Sequence, residues 1–342
     1  MKILITGGCG FVGSNIAVFL KKNLKSVKIF SVDNLMRKGS DINCKRLQKL
    51  NIKNFKINIE NFDLLKKLPK FNLIIDCCAE PAIEESTKNP DKVFNTNLVG
   101  TYNILKKCLS DKANLIFLSS SRVYSIQALR KLVRGDFLSK TLTLKKKINE
   151  NFQTSSPISL YGFTKLSSEN LIKEIFYSTK LKYIINRFGV ISGPWQFGKQ
   201  DQGFVSLWIA KHLLKRKLSY IGFGGKGNQV RDIIHIEDVC EIILIQMKKM
   251  KNIYNQTFNI GGGIKNMISL KSLTTKCQLL TSNNIQISSI KKTSKFDIPY
   301  YVSDNQKIYK FYKWLPSKNI SQIIQDVYNW LINNKMLLKY FK

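Results

Sequence analysis

The first 24 residues constrain the fold more than any other stretch of the chain. An apolar run, Lys2 to Thr6 (KILIT), is followed at once by glycines at positions 7, 10 and 13, and Phe11 to Leu24 reads as a helix. A helix N-terminus has unbonded N–H groups and a partial positive charge, and glycine lets a diphosphate approach the backbone closely. Gly7, Gly10 and Gly13, between a strand and a helix, therefore predict a dinucleotide site. Asp33 ends the next apolar run, Lys28 to Val32, and stands 20 residues past Gly13. A carboxylate there holds ribose hydroxyls and repels a 2′-phosphate, so the expected cofactor is NAD and not NADP.

The rest of the first half repeats this strand–helix rhythm. Short apolar runs at Asn54 to Ile59, Asn72 to Cys78 and Asn114 to Ser119 alternate with a helical pattern from Asp91 to Leu109. Strands without polar alternation are covered on both faces, which predicts an α/β fold: a Rossmann-type, doubly wound parallel sheet. A helix from Thr164 to Tyr177 and strands at Lys182 to Arg187 and Thr257 to Ile260 continue it. Beyond Arg187 come loops rich in Gly, Gln and aromatics, then an amphipathic helix from Ser321 to Asn333. The expected division is a dinucleotide-binding domain over 1–187, with a return segment near 232–260. A smaller C-terminal α/β substrate-binding region over 188–342 completes it.

Tyr161 and Lys165 form Y-x-x-x-K, and four residues of helix place both on one face. Tyrosine alone is a weak base at neutral pH, but a neighbouring ammonium and a nicotinium ring favour its phenolate. It then takes a hydroxyl proton while hydride leaves to NAD. Ser119, Ser120 and Ser121 supply hydroxyls where the preceding strand meets the cofactor; a polar strand end with a capping serine is the alternative reading for any one of them.

Composition removes other classes. Of 342 residues, 56 are Lys or Arg and 22 Asp or Glu, a formal charge of +34. Such a field attracts diphosphates and nucleic acid alike. The lysines, however, are scattered in pairs and triplets, so no nucleic-acid partner is expected. Two histidines and seven cysteines without C-x-x-C spacing argue against a metal site and for a reducing compartment. The N-terminal apolar run is broken by Thr6-Gly7-Gly8, unlike a signal peptide, and no run reaches the roughly 18 apolar residues of a membrane span. A soluble cytoplasmic protein is expected.

T-G-G-x-G-F-V-G at Thr6 to Gly13, Asp33, N-x-x-G-T at Asn97 to Thr101 and Y-x-x-x-K occur in an order that resembles the extended short-chain dehydrogenase/reductases, the nucleotide-sugar epimerases and dehydratases. The resemblance spans nearly the whole chain. It implies that Phe11, Val12, Asn34, Arg37, Lys38, Ala79 and Asn97 join the glycines, Asp33 and Lys165 around NAD. It also implies that Ser120, four residues before Tyr124 of the Val-Tyr pair, is the catalytic hydroxyl beside Tyr161 and Lys165. D-N-L-x-R-K-G at Asp33 to Gly39, the segment Gln196 to Val205 and G-N-Q-V-R-D at Gly227 to Asp232 are similar to epimerases acting at C2 of a CDP-linked sugar. That similarity makes Gln196, Asp201, Gln202, Gly203 and Arg231 substrate-binding candidates, with Arg231 on the diphosphate; an ion pair with Asp232 is its other reading. His235 and Asp238 read as helix-capping groups.

The chain departs from the family pattern at Cys78-Ala79-Glu80-Pro81, where a histidine is usual, and at Ser125 after Val123-Tyr124. A 4,6-dehydratase needs two carboxylates beside the catalytic hydroxyl; Ser121 and Arg122 stand there, which points to epimerisation at C2 or C4. A homodimer or homotetramer is expected from the same resemblance. A non-catalytic RNA-binding module on this fold is the alternative from another class.

Overall fold

The computed structural model describes residues 1–82, 87–133, 144–199 and 202–341. The chain divides into two compact units, the first formed by 1–123, 159–187 and 239–258, the second by 124–158, 188–238 and 259–342.

The first unit carries a seven-stranded sheet. Its strands are β1 (Lys2–Thr6), β2 (Lys28–Val32), β3 (Lys53–Phe55), β4 (Leu73–Asp76), β5 (Asn114–Ser120) and β6 (Tyr183–Phe188), with β10 (Gln256–Ile260) on the outside. The order is β10-β6-β5-β4-β1-β2-β3, and the β1–β2, β2–β3, β1–β4 and β4–β5 pairs are all parallel. The chain builds outward from β1 through β2 and β3, then starts again on the other side with β4. That reversal opens a crevice at the carboxyl ends of β1 and β4, where ligands bind in such sheets. Ile3, Leu4 and Ile5 are fully buried, as a strand covered on both faces requires. One continuous core gathers Leu4, Ile74, Leu105, Phe117, Ile172 and Ile185 from strands and helices.

Local chemistry trims several expected elements. The β4 strand stops at Asp76 because the Asp76 Oδ1 accepts the Cys78 N–H at 3.2 Å, turning the chain back on itself. The strand β3 ends at Phe55, well short of Ile59, where Ile57 N–H bonds back to the Phe55 carbonyl at 2.9 Å. The helix expected from Asp91 is interrupted: Pro90–Phe94 passes through a π-turn, Asn95–Val99, into Gly100–Asp111. A Cβ on Gly100 would sit 2.6 Å from Ile59 Cδ1, so a larger residue here would require the Ile59 side chain to shift.

The second unit holds a smaller sheet, in which β9 (Val230–His235) is paired by β7 (Val190–Ser192), β11 (Met267–Ser269) and β13 (Tyr300–Tyr301). A separate parallel pair joins β8 (Leu218–Ile221) and β12 (Ile287–Ile290). Val133, Val230, Tyr300 and Val302 form a buried cluster against the sheet. The amphipathic helix Ile320–Asn333 is closed by a capping box between Asn319 and Gln322 and buries Ile323, Val327 and Trp330. No helix among the described residues is long and apolar enough to cross a membrane.

Candidate active site

The turn after β1 is built around its glycines. Gly7 has φ +57°, and a Cβ there would lie 2.9 Å from Cys78 Cα. Gly10 N–H donates to the Gly7 carbonyl at 2.9 Å, and the helix Phe11–Asn23 begins on the next residue. No side chain of the N-cap residue caps that helix and no acidic residue sits in its first turn, which leaves its first N–H groups available to an anion. Phe11 and Val12, half-buried, make up that first turn. Gly13 packs against the turn itself: a Cβ would meet the Gly7 carbonyl oxygen at 2.4 Å. The pattern of contacts fits a diphosphate cradle that tolerates no side chain.

Asp33 stands beside this turn. Its Oδ2 accepts the Cys9 N–H at 3.0 Å and its Oδ1 the Leu35 N–H at 2.8 Å. Burial raises the Asp33 carboxyl above the ordinary aspartate range, while these N–H bonds and the Arg37 charge pull the other way. Four acceptor positions on a carboxylate exceed what those bonds use, which leaves capacity for ribose hydroxyls. Asn34 accepts the Met36 N–H at 3.1 Å; Arg37 and Lys38 are exposed, ahead of Gly39.

Across the crevice, Thr6 Oγ1 donates to Asp76 Oδ1 and Thr101 Oγ1 donates to Asp76 Oδ2 at 3.4 Å. This fully buried carboxylate ties β1, β4 and the helix Gly100–Asp111 at the point where the cofactor is expected. No motif marks this residue in the sequence; its only local signal is an Asp at the end of an apolar strand. Half-buried Ala79 follows in the β4 exit loop. Asn97 is wholly buried in the π-turn: its Oδ1 accepts the Glu80 N–H at 2.8 Å, and its Nδ2 donates to the Glu80 carbonyl at 3.1 Å and to Thr164 Oγ1 at 3.2 Å. Both Nδ2 hydrogens are used, so Asn97 shapes the β4 exit loop and anchors the residue next to Lys165.

The helix Leu160–Tyr177 starts four residues before its expected position because Ser159 caps it, accepting the Gly162 N–H at 3.2 Å. Tyr161 thereby falls in the first turn. Its ring is packed, and its hydroxyl makes no hydrogen bond to any described residue. Lys165 is buried; its Nζ donates to the Leu118 carbonyl at 3.0 Å and lies 4.5 Å from the centre of the Phe117 ring. Ser119 and Ser120 separate by partner. Ser119 donates to Glu169 at 2.6 Å, which commits its hydroxyl inside the fold. Ser120 Oγ accepts the Arg122 N–H at 3.1 Å and keeps its own proton for donation.

In the second unit the sequence candidates have structural work. Gln196 accepts from Ser192 Oγ at 3.2 Å and donates to the Ile191 carbonyl at 3.0 Å. Gln202 pairs through its backbone with Lys199, and Gly203, at φ +74°, opens the helix Phe204–Leu213. Asp201 lies outside the described residues. The Arg231 guanidinium donates to the carbonyls of Val230 at 2.8 Å and Ile298 at 2.7 Å and pairs with Asp297 at 3.2 Å. It thus forms an ion pair with Asp297, while the buried carboxylate of Asp232 accepts the N–H groups of Gly263 and Ser303. His235 Nδ1 accepts the Glu237 N–H at 3.2 Å in the first turn of the helix Ile236–Lys249, and Asp238 holds Ser317 and Lys318.

The sequence profile of the NAD dependent epimerase/dehydratase family matches residues 3–261. The chain belongs to this family. Members are enzymes, and NAD is their cofactor. CDP-paratose 2-epimerase from Salmonella typhi is 28% identical over 345 residues, spanning 96% of this chain and 99% of its own. UDP-glucuronate 4-epimerase from Thermodesulfobacterium geofontis is 26% identical over 352 residues, spanning 99% and 98%. Among solved structures, UDP-glucuronic acid 4-epimerase from Bacillus cereus, in complex with UDP-glucuronic acid and NAD, superposes with a TM-score of 0.81 at 23% identity, covering 97% of this chain and 99% of that one. That likeness bears on the fold. The glycine turn, Asp33, Asn97, Tyr161 and Lys165 of this family member all fall in its first unit, within the matched segment.

Proposed function

We propose that this epimerase/dehydratase family member is a nucleotide-sugar epimerase that inverts C2 of CDP-paratose to give CDP-tyvelose. The near-complete coverage of the Salmonella typhi relative supports the substrate. The observation that carries the chemistry is the pairing of a Tyr161 hydroxyl without a partner among the described residues and a buried Lys165 on one helical face. Gly7, Gly10 and Gly13 hold the diphosphate of NAD against the helix N-terminus, and Asp33 takes its adenosine ribose. Asn34, Arg37, Lys38, Ala79 and Asn97 line or shape the same site. NAD, when bound, supplies a reversible hydride acceptor. Tyr161 Oη, as phenolate, removes the proton of the reacting sugar hydroxyl, and Ser120 Oγ–H bonds the same oxygen. The Lys165 ammonium, anchored on the Leu118 carbonyl, stabilises that phenolate and reaches the nicotinamide ribose. When the keto sugar has turned over, Tyr161 returns the proton and the cycle closes without net redox change. Gln196, Asp201, Gln202 and Gly203 frame the sugar-nucleotide, and Arg231, exchanging Asp297 for phosphate oxygens, binds the diphosphate.

A 4-epimerase uses the same three residues, and the Thermodesulfobacterium relative keeps that reading in play. Proton NMR of the protein with CDP-paratose, without added NADH and beside UDP-galactose, decides between them. Inversion at C2 of CDP-paratose supports the proposal; turnover of UDP-galactose alone overturns the substrate and keeps the mechanism. Salt-dependent RNA binding together with no turnover of either would favour the non-catalytic reading. We also propose a homodimer or homotetramer. Phe94, Tyr102, Leu109, Phe163 and Tyr177 remain exposed on the helical segments 90–111 and 160–177, which pack together.

A further inference from the structure

Tyr161, Lys165 and Glu169 follow one another at four-residue spacing along the helix Leu160–Tyr177, and only the first two have a place in the chemistry above. Glu169 is completely buried. Its Oε1 accepts the Ser119 hydroxyl at 2.6 Å and Arg187 Nε at 3.0 Å, while its Oε2 accepts Arg187 Nη2 at 2.7 Å. One carboxylate thus ties the helix to two neighbouring strands, β5 through Ser119 and β6 through Arg187. One helical turn earlier, Lys165 binds the Leu118 carbonyl at 3.0 Å. Two consecutive residues of β5 are therefore fastened to two consecutive turns of the helix, and the next residue along the strand is Ser120.

A buried ion pair is a poor device for stability, because desolvation offsets most of its attraction. It is a good device for register, since a bidentate guanidinium–carboxylate fork fixes angle as well as distance. We propose that Glu169, oriented by Arg187, is a positioning residue: through Ser119 it sets where Ser120 stands relative to Tyr161 and Lys165. This rests on the reading of those three as the catalytic groups.

The test uses the NAD-loaded protein and the nucleotide sugar that the wild type turns over. Ser119→Ala removes the strand-side bond and leaves the Glu169–Arg187 pair intact. It lowers kcat about tenfold with KM and NAD affinity within about twofold, the scale expected when reacting groups are misplaced by a fraction of an ångström. Ser119→Thr keeps the hydroxyl and restores kcat. Glu169→Gln, if it folds, loses more, because it also leaves the Arg187 charge without its fork. Hydrogen exchange of the segment 114–124, measured without substrate, is faster in Ser119→Ala than in wild type, normal in Ser119→Thr, and unchanged in β1 throughout. Wild-type kcat and wild-type exchange in Ser119→Ala overturn the proposal, as does loss of stability with full kcat per folded molecule. Should the wild type act on no nucleotide sugar, the catalytic reading fails, and exchange alone still decides whether Glu169 fixes the strand end.

Discussion

Gly13→Ala is the smallest change that asks whether the turn after β1 binds a dinucleotide. Two effects oppose each other. Alanine in a helix is favoured over glycine by about 1 kcal/mol. Against that, the new Cβ meets the Gly7 carbonyl oxygen at 2.4 Å and Gly8 Cα at 2.8 Å, and both are backbone. Real Cβ atoms almost never approach below 3.0 Å, so the turn opens by at least 3.0 − 2.4 = 0.6 Å. Over-packing of this kind costs roughly 1–3 kcal/mol, so the net loss of stability is at most about 2 kcal/mol. The displaced group is the carbonyl that receives the Gly10 N–H at 2.9 Å, so the movement passes directly to the start of the helix Phe11–Asn23. N–H groups placed to meet phosphate oxygens would then meet them poorly, and losing one or two charge-assisted bonds weakens NAD by about tenfold or more. Thermal unfolding measures the first effect, and titration calorimetry of cofactor-depleted protein with NAD the second. A folded Gly13→Ala protein that binds NAD within about twofold of wild type would refute the assignment of this turn.

Three further outcomes are expected. Tyr161→Phe folds and binds NAD as the wild type does but loses turnover by a factor of about 10² to 10⁴, the range for a general acid–base group; activity retained under NMR assay removes Tyr161 from the mechanism. His212 and His235 are the only histidines, and burial lowers the pKa of both below the usual 6.5. Each is then neutral in the fold where the unfolded chain is protonated, so its contribution to stability is present above pH 6.5 and is lost as pH falls toward the folded-state value. Ring-proton NMR reads this directly, and a ring titrating at or above 6.5 contradicts it. Light scattering on a sizing column gives a mass of two or four chains, and Phe163→Glu with Tyr102→Glu shifts it to one; an unchanged mass places the interface elsewhere.

The parts of this protein that could be read before its structure are those where residue type and spacing alone carry the chemistry. Glycine at 7, 10 and 13 is legible because a backbone that must be approached closely can use nothing else. The spacing of Tyr161 and Lys165 is legible because the helix period is fixed, and the apolar strands because burial on both faces leaves no polar alternation. What stayed hidden depends on a partner distant in sequence. Asp76 sits between Thr6 and Thr101, and Asn97 between Glu80 and Thr164; neither partnership has a local signature. That the Ser119 hydroxyl is committed inside the fold depends on Glu169, 50 positions downstream of Ser119.

The same distinction explains why the sugar was harder to read than the cofactor. A dinucleotide on a sheet of this kind is held by backbone N–H groups and one carboxylate, which stand in a fixed order along the chain. The residues proposed for the sugar-nucleotide follow no such fixed pattern, and each one described also has work within the fold. Gln196 fastens its own turn, Gly203 starts a helix, and Arg231 is engaged with Asp297 and two carbonyls. In the proposed role Arg231 would exchange Asp297 for the diphosphate, a swap of one anion for another that costs far less than baring a buried charge. If that exchange occurs, Asp297→Asn tightens substrate binding by removing the competing carboxylate in advance, whereas Arg231→Ala weakens it. A higher KM in both variants would mean that the ion pair shapes the loop and that the diphosphate is held elsewhere.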